Sequence, residues 1–423
     1  MFAISTALAL AVSVSPQDPG SWVTTQLDQL EQLYRHFHQN PELSFREVET
    51  AKRLAAELEQ AGLQVTTGVG GTGVVAVLEN GPGRTVMMRT DLDALPIAED
   101  TGLPYASKIR ADSADGRAIG IMHACGHDLH MTNLVGTAQW FANHRDDWSG
   151  TLVFIGQPAE ERSGGARAML KDGLYERFPK PDAAVALHCD PALPTGTVGV
   201  RPGALMAAVD SVDVTLFGKG GHGAAPHRTV DPIVLAAQYV LALQTIVSRE
   251  INPVQSAVIT VGSIHAGSKH NIISDRCKLQ LTVRSYDPKV RQHLLDAIVH
   301  KGKALATAAR APEPEFAFSE ATDPLLNDPA VTATIRAAME QTLGTEHVVE
   351  VQPQMIAEDF AFYGSDGVPI CMFRLGTIAP DRLARLNQQG GPPSLHSPSY
   401  YPDAREALKA GVPASVAAIR ALL

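Results

Sequence analysis

Residues 122–130 read MHACGHDLH, placing three histidines, one cysteine and one aspartate within nine positions. Thiolate and imidazole are the donors that zinc and neighbouring transition metals prefer. Gly126 puts no bulk between Cys125 and His127, so a loop-to-helix junction can aim both at one point. A hydrogen-bonded histidine cluster at a helix start would use the same residue types, so further donors must decide. Glu160-Glu161 follows the apolar run 152–155, His188 ends the apolar run 183–187, and His396 lies in the turn Ser394-Leu395-His396-Ser397-Pro398. Adjacent acids beside a buried strand are costly to desolvate unless a cation or donor compensates. Cys125, His127, Glu161, His188 and His396 are too many for one four-coordinate ion with an open position. They suit two ions sharing a bridging ligand and a water, which holds the metals roughly 3.5–4 Å apart and lowers the pKa of water toward about 7. Glu160, next to a ligand but free of the metals, stands where a general base must stand.

The elements that would position these donors follow from periodicity. Residues 22–63 carry a helical pattern, with Leu27, Leu30, Leu33 and Tyr34, then Val48, Leu54 and Leu58. Strand-like runs follow at 63–67, 74–78 and 85–89, then a helix over 128–143 and buried strands at 151–157 and 183–188. Strands alternating with helices indicate an α/β domain with a largely parallel sheet. The acid pair and His188 then fall at strand carboxyl ends, the edge where such sheets build active sites. The rhythm changes after Gly203: strand 211–217, helix 231–248, strands 256–264 and 277–284, helix 288–309 and strand 315–319. That β-α-β-β-α-β order is ferredoxin-like. Helix 329–343, strands 348–352 and 370–375, and a helix from Asp403 return to the first pattern. The expected organisation is a catalytic domain in two parts, 21–204 and 321–423, interrupted by a lid at 205–320. Gly68-Val69-Gly70-Gly71-Thr72-Gly73 fits GxGxxG but is followed by strand-like Val74-Val75-Ala76-Val77-Leu78. A dinucleotide fingerprint needs a helix there, so the run reads as a glycine-rich hairpin.

Composition narrows the function. The chain has 423 residues, 35 Lys+Arg against 45 Asp+Glu and a formal charge of −10. Scattered basic residues exclude a phosphate-tracking groove and hence nucleic acid. No stretch comes near the roughly 20 apolar residues of a membrane span. Four cysteines, Cys125, Cys189, Cys277 and Cys371, make no disulfide scaffold; they could pair in three ways, and sequence does not choose among them. Residues 1–14 (MFAISTALALAVSV) have the apolar character of a secretory signal, with residues 1–20 as the candidate leader. No Lys or Arg precedes Arg35, so the basic start of such a signal is missing. The expectation is export if this segment is a leader and a cytoplasmic enzyme otherwise.

The chain resembles the co-catalytic metallopeptidase family that contains aminoacylases and zinc exopeptidases. Within it the chain is most similar to the N-acyl-amino-acid amidohydrolase branch of hippurate hydrolases, indole-acetyl-amino-acid hydrolases and related carboxypeptidases. The resemblance rests on His38-Gln39-Asn40-Pro41-Glu42-Leu43-Ser44, Arg89-Thr90-Asp91-Leu92-Asp93, the MHACGHD run and Pro158-Ala159-Glu160-Glu161. It continues through Gly218-Lys219-Gly220-Gly221-His222-Gly223, Thr282-Val283-Arg284, Glu358-Asp359-Phe360 and Leu395-His396-Ser397. It implies a di-metal catalytic domain with an inserted ferredoxin-like lid. Cys125 would bridge the metals, and His127, Glu161, His188 and His396 would be terminal ligands. Glu160 would activate the water and pass its proton to the leaving amine. His222 in the lid would stabilise the oxyanion, in related enzymes often from a partner subunit. Asn271 and Arg284 would contact the substrate carboxylate, a role that suits the planar fork of arginine.

Two departures qualify this. Other branches carry a ligating histidine in an His-x-Asp motif where this chain has Arg89-Thr90-Asp91, which leaves Asp91 as an orienter behind the ligands. The usual Asn-Val-Ile-Pro-Asp run reads Asn271-Ile272-Ile273-Ser274-Asp275, which weakens the transfer of a role to Asn271. The resemblance implies two divalent ions, zinc or manganese first, then cobalt or nickel, and a homodimer through the lid. The expected reaction is hydrolysis of an N-acyl amino acid. The alternatives are dipeptidase or carboxypeptidase action at the same centre, and a binding protein that keeps only the fold.

Overall fold

The computed structural model describes residues 18–112 and 118–423; the candidate leader falls almost wholly outside them. Strands β1 (Gln64–Val69), β2 (Gly73–Asn80), β3 (Thr85–Asp91), β4 (Gly150–Gln157), β5 (Ala183–Pro194) and β6 (Val198–Val200) precede the lid. The lid holds β7 (Ala208–Phe217), β8 (Ala257–Ala266), β9 (Arg276–Ser285) and β10 (Glu315–Thr322), and β11 (Val348–Glu350) and β12 (Ile370–Ile378) follow it. The main sheet has the order β1-β2-β4-β3-β5-β12-β6-β11. Its centre, β4-β3-β5-β12, is parallel. Burial on both faces explains why these strands read as unbroken apolar runs. Val86, Met88, Leu152, Phe154, Val185, Leu187 and Phe373 point into one core, and Met87, Val153, Ile155, Ala186 and Met372 into the other.

Helices α1 (Pro19–Gln39), α2 (Val48–Gln60), α3 (His127–Asn143), α6 (Pro329–Leu343) and α7 (Ala404–Leu422) carry the apolar stripes of the first core, and α4 (Pro232–Glu250) and α5 (Pro288–Ala308) belong to the lid. The helical pattern over 22–63 divides into α1 and α2, because Pro41 and the turn before Glu47 interrupt the backbone ladder. Pro19 opens α1 instead of breaking it: a proline at the first turn forfeits no intrahelical bond, and Asp18 caps the Ser21 amide at 3.0 Å. The GxGxxG run is the β1–β2 turn, and the strands pair antiparallel.

Lid strands β7 to β10 form an antiparallel sheet in the order β8-β9-β7-β10. Helices α4 and α5 cover one face around Tyr239, Leu243, Leu294 and Ile298. A ribbon of Gly203–Met206 against Leu325–Asn327 marks both chain crossings into the lid. Helix α4 corrects the reading that no stretch approaches a membrane span, since by length and apolar composition it does. It buries Leu235, Ala236, Tyr239, Leu243 and Ile246 against the lid sheet, which accounts for its apolar face. Short strands such as β6 and Leu325–Asn327 escaped the sequence reading because three residues show no period.

Candidate metal centre

Parallel register sets the floor of the site. Arg89 pairs with Ile155 and Ala186, and Asp91 with Gln157, so the ends of β3, β4 and β5 lie side by side. The chain then turns sharply under each donor. Gly126 has φ +87°, and a Cβ there would lie 2.7 Å from Cys189 Sγ, so only glycine fits between Cys125 and the start of α3. Ala159, Ser163 and His396 hold φ of 48°, 50° and 66° without being glycine, the kind of strain kept where the surroundings over-determine a site. The His396 amide donates to Ala124 O at 2.9 Å, tying the C-terminal turn to the MHACGHD loop.

The donors converge. Ligand atoms of Cys125, His127 and His188 lie within 4.8 Å of one another, as do those of Cys125, Glu161 and His396, and those of His127, Glu160 and Glu161. Cys125 Sγ is 3.6 Å from His188 Nε2, and His396 Nε2 is 3.4 Å from Glu161 Oε1. Hydrogen bonds fix which ring nitrogen is free. His127 Nδ1 donates to Asp93 O at 2.7 Å and His188 Nδ1 to Cys189 O at 2.9 Å, leaving both Nε2 atoms for ligation. The buried His127 Nε2 and Glu161 Oε1 have no hydrogen-bond partner. An unpaired buried imidazole nitrogen and carboxylate oxygen are expensive unless a cation takes them, so the donor set fits divalent metals.

Charge supports the same fit. Six buried or half-buried acids, Asp91, Asp93, Glu160, Glu161, Glu358 and Asp359, gather near the site, and Arg89 bonds three of them, Asp91 Oδ2 at 2.7 Å, Glu358 Oε1 at 2.8 Å and Asp359 Oδ1 at 3.2 Å. Burial works against a charged His127, yet Asp91, Asp93 and Glu161 push it up to about 10. Burial, then the neighbouring Glu358 and Glu161, raises Glu160 well above the ordinary carboxylate range.

A cavity of about 380 Å³ opens onto Cys125, Glu160, Glu161, His188, Arg284 and His396. Asp91 lies behind it. Its Oδ1 takes the His130 Nδ1 proton at 2.7 Å, and it stands 3.5 Å from His127 Nε2. His222 and Asn271 lie elsewhere, on an exposed lid ribbon where His222 pairs with Ile272 and Gly223 N–H donates to Asn271 O. His222 Nδ1 accepts from the Ala224 amide at 3.0 Å, so Nε2 carries the proton and faces outward. Sequence reasoning gave no role to Asp93. Its carboxylate accepts the amides of Glu160 and Glu161 at 3.1 and 3.0 Å and the Ser44 hydroxyl at 2.7 Å, clamping the acid pair. The spacing Asp91-x-Asp93 at a strand end, which puts both side chains on one side, was the available signal.

A sheet edge with this donor chemistry beneath a lid defines a metal-dependent hydrolase. Residues 87–389 match the family described as Peptidase family M20/M25/M40. The chain is 40% identical over 342 residues to an N-acetyl-L-cysteine deacetylase of Bacillus subtilis (strain 168), covering 81% of this chain and 79% of that one. It is 38% identical over 355 residues to thermostable carboxypeptidase 2 of Saccharolobus solfataricus (strain ATCC 35092 / DSM 1617 / JCM 11322 / P2), covering 83% and 86%. The crystal structure of the Bacillus subtilis YXEP protein, described as a dinuclear metal binding peptidase of the M20 family, superposes with a TM-score of 0.76 at 30% identity, covering 94% and 98%. The chain belongs to the M20/M25/M40 peptidase family. It is a hydrolase of amide-type C–N bonds.

Proposed function

We propose that this enzyme hydrolyses N-acyl amino acids at a two-metal centre that Cys125, His127, Glu161, His188 and His396 would hold. The observation that carries this is the meeting of Cys125, His188, Glu161 and His396, from four separate chain segments, in one cavity with Glu160 and Arg284. When bound, the ions supply Lewis acidity toward the amide carbonyl and lower the pKa of water. Glu160, buried and free of a ligand role, takes the proton of the attacking water and returns it to the leaving amine. Arg89, Asp91 and Asp93 hold the acids and His127 in place. Arg284, whose Nη1 donates to Met355 O at 2.5 Å, keeps donors available for the substrate carboxylate. His222 serves as the oxyanion donor once the lid ribbon, from this subunit or a partner in a homodimer, reaches the cavity. Asn271, on the same ribbon, helps to hold the carboxylate. The softness of the thiolate favours zinc, and the branch resembled keeps manganese, cobalt and nickel in view.

The remaining wall favours an acylated amine over a dipeptide. A free α-ammonium needs an anionic partner, and both acids of the cavity, Glu160 and Glu161, already have work to do. Ser163, Val209, Ile356, Ala357 and Leu395 offer it none. The test is hydrolysis of acetyl-, benzoyl- and indolyl-acyl amino acids beside dipeptides under defined metals, together with Glu160→Gln. The variant is expected to keep its metal content and lose about 10²–10⁴-fold in kcat. Full turnover by that variant would remove the assigned base, and a preference for dipeptides would reverse the choice of substrate.

A further inference from the structure

A second cavity, about 460 Å³, adjoins the catalytic one, and Glu161 lines both. Arg284 belongs to the first cavity only, and Arg46 and Arg162 to the second only. Glu161 therefore stands between an arginine on one side and a pair of arginines on the other. The second cavity is tied to the catalytic machinery through Ser44, whose hydroxyl bonds the Asp93 carboxylate that holds Glu160 and Glu161. Arg162 directly follows Glu161 in the same short turn, Glu160–Arg162, so metal ligand and guanidinium are placed by one backbone unit.

The walls have two characters. Leu43, Leu95, Pro96 and Ile119 form an apolar passage, and Arg46 and Arg162 supply positive charge. Both guanidiniums are exposed and neither is in an ion pair among the described residues. Asp112, which also borders the cavity, is not within ion-pair distance of either. Two exposed guanidiniums bordering a cavity that also has apolar walls match a methylene chain that ends in a carboxylate, since planar guanidinium binds carboxylate in a fixed fork.

We propose that this cavity is an acyl-group subsite for dicarboxylic acyl chains, with the terminal carboxylate at Arg46 and Arg162. The assignment rests on the N-acyl-amino-acid reading above. In it Arg284 fixes the amino-acid carboxylate, the scissile amide lies at the donor cluster, and the acyl tail passes Glu161 into the second cavity. Selectivity would then come from charge at the far end of the acyl group, not from its bulk.

The experiment compares N-acetyl, N-butanoyl and N-succinyl derivatives of one amino acid on the metal-loaded enzyme, then repeats the series on Arg46→Ala, Arg162→Ala and the double variant. The wild type is expected to favour succinyl over butanoyl by about tenfold or more in kcat/KM, the scale of one charged hydrogen-bonded pair. The double variant should lower the succinyl-to-butanoyl ratio by about the same factor, chiefly through KM, and Arg→Lys at either position should restore part of it. A wild type that hydrolyses butanoyl and succinyl substrates equally overturns the subsite while leaving the N-acyl reading intact. An unchanged ratio in the double variant overturns it as well. A wild type that cleaves none of the three, nor the benzoyl- and indolyl-acyl amino acids, removes the N-acyl reading, and the subsite falls with it.

Discussion

The donor cluster and the lid ribbon are both assigned to catalysis, yet they are held in opposite ways. His127 is fully buried, donates to Asp93 O, and lies among Asp91, Asp93, Glu160 and Glu161. His222 is exposed on a two-residue strand, and its one side-chain bond is to the Ala224 amide two residues on. The parallel sheet delivers the first group already in place. In the proposed mechanism the ribbon would have to reach the cavity by a movement or an assembly step. The difference is that packing fixes the donor cluster, whereas the proposed charge-stabilising residue sits on a part that can arrive late. Lids that complete a site in this way exclude water and commit the substrate.

The sharpest way to break that contrast is His222→Ala. If the ribbon brings an oxyanion donor, kcat should fall about 10²–10³-fold, while folding stability stays within about 0.5 kcal/mol because the residue is exposed. Urea melts and steady-state kinetics on one preparation read both. Mixing His222→Ala with Glu160→Gln then separates two routes: recovered activity means the ribbon acts across subunits, and none means that it closes on its own site. A variant with wild-type kcat would leave the ribbon without a catalytic part.

Asp93→Ala attacks the other side of the comparison. The amides of Glu160 and Glu161 and the Ser44 hydroxyl would lose their shared acceptor. Partners behind metal ligands are typically worth 10–100-fold in metal affinity or activity, and a loss of that size is expected in kcat/KM at limiting metal. Excess metal should recover part of it, and Asp93→Asn, which keeps one acceptor oxygen, should fall between. An Asp93→Ala enzyme with unchanged metal affinity would mean that packing alone, without this clamp, places the acid pair.

The cluster was legible in the sequence for the reason that makes it rigid. Continuous apolar runs such as Val86-Met87-Met88 and Leu152-Val153-Phe154-Ile155 announce strands buried on both faces, and donors just past such runs must fall on one sheet edge. Glu161 and His188 could therefore be placed on one edge before their distances were known, and Cys125, His127 and His396 joined them by donor type alone. Asp93 was passed over because it acts mainly through main-chain amides, which carry no residue type to recognise, and only its spacing from Asp91 pointed to it. The second cavity was hidden for a related cause: Arg46 and Arg162 are 116 positions apart and meet only through the fold. The lid's element order was readable from its periodicity. The separation of His222 and Asn271 from the cavity was not, since no local pattern encodes how far a ribbon stands from its target.

The smallest expected effect tests how far the rigidity of the cluster reaches. His38, in the last turn of α1, lies between Asp128 Oδ2 at 2.7 Å and Glu99 Oε1 at 3.1 Å, and Asp128 follows the ligand His127 at the start of α3. Burial disfavours a charged imidazole there, but the hydrogen bonds to Asp128 and Glu99 prevail and hold His38 up to about 9. A histidine raised in the folded state contributes stability that is fully present below its unfolded value near 6.5 and is lost as pH rises through about 9. Asp128 and Glu99 are held below their ordinary values, against burial, by the same imidazolium, so their contribution is present above those values and disappears in acid. The pair of acids and the histidine thus stabilise the α1–α3 contact most in mildly acidic solution, above the ordinary carboxylate values and below about pH 6.5. In His38→Gln the decline between pH 6.5 and 9 should vanish, with a loss of roughly 1–3 kcal/mol at pH 6.5, the scale of charged hydrogen bonds. Urea midpoints measured across that range at fixed excess metal give the answer. An alkaline slope identical in variant and wild type would assign the decline to other groups and confine the rigid region to the donors themselves.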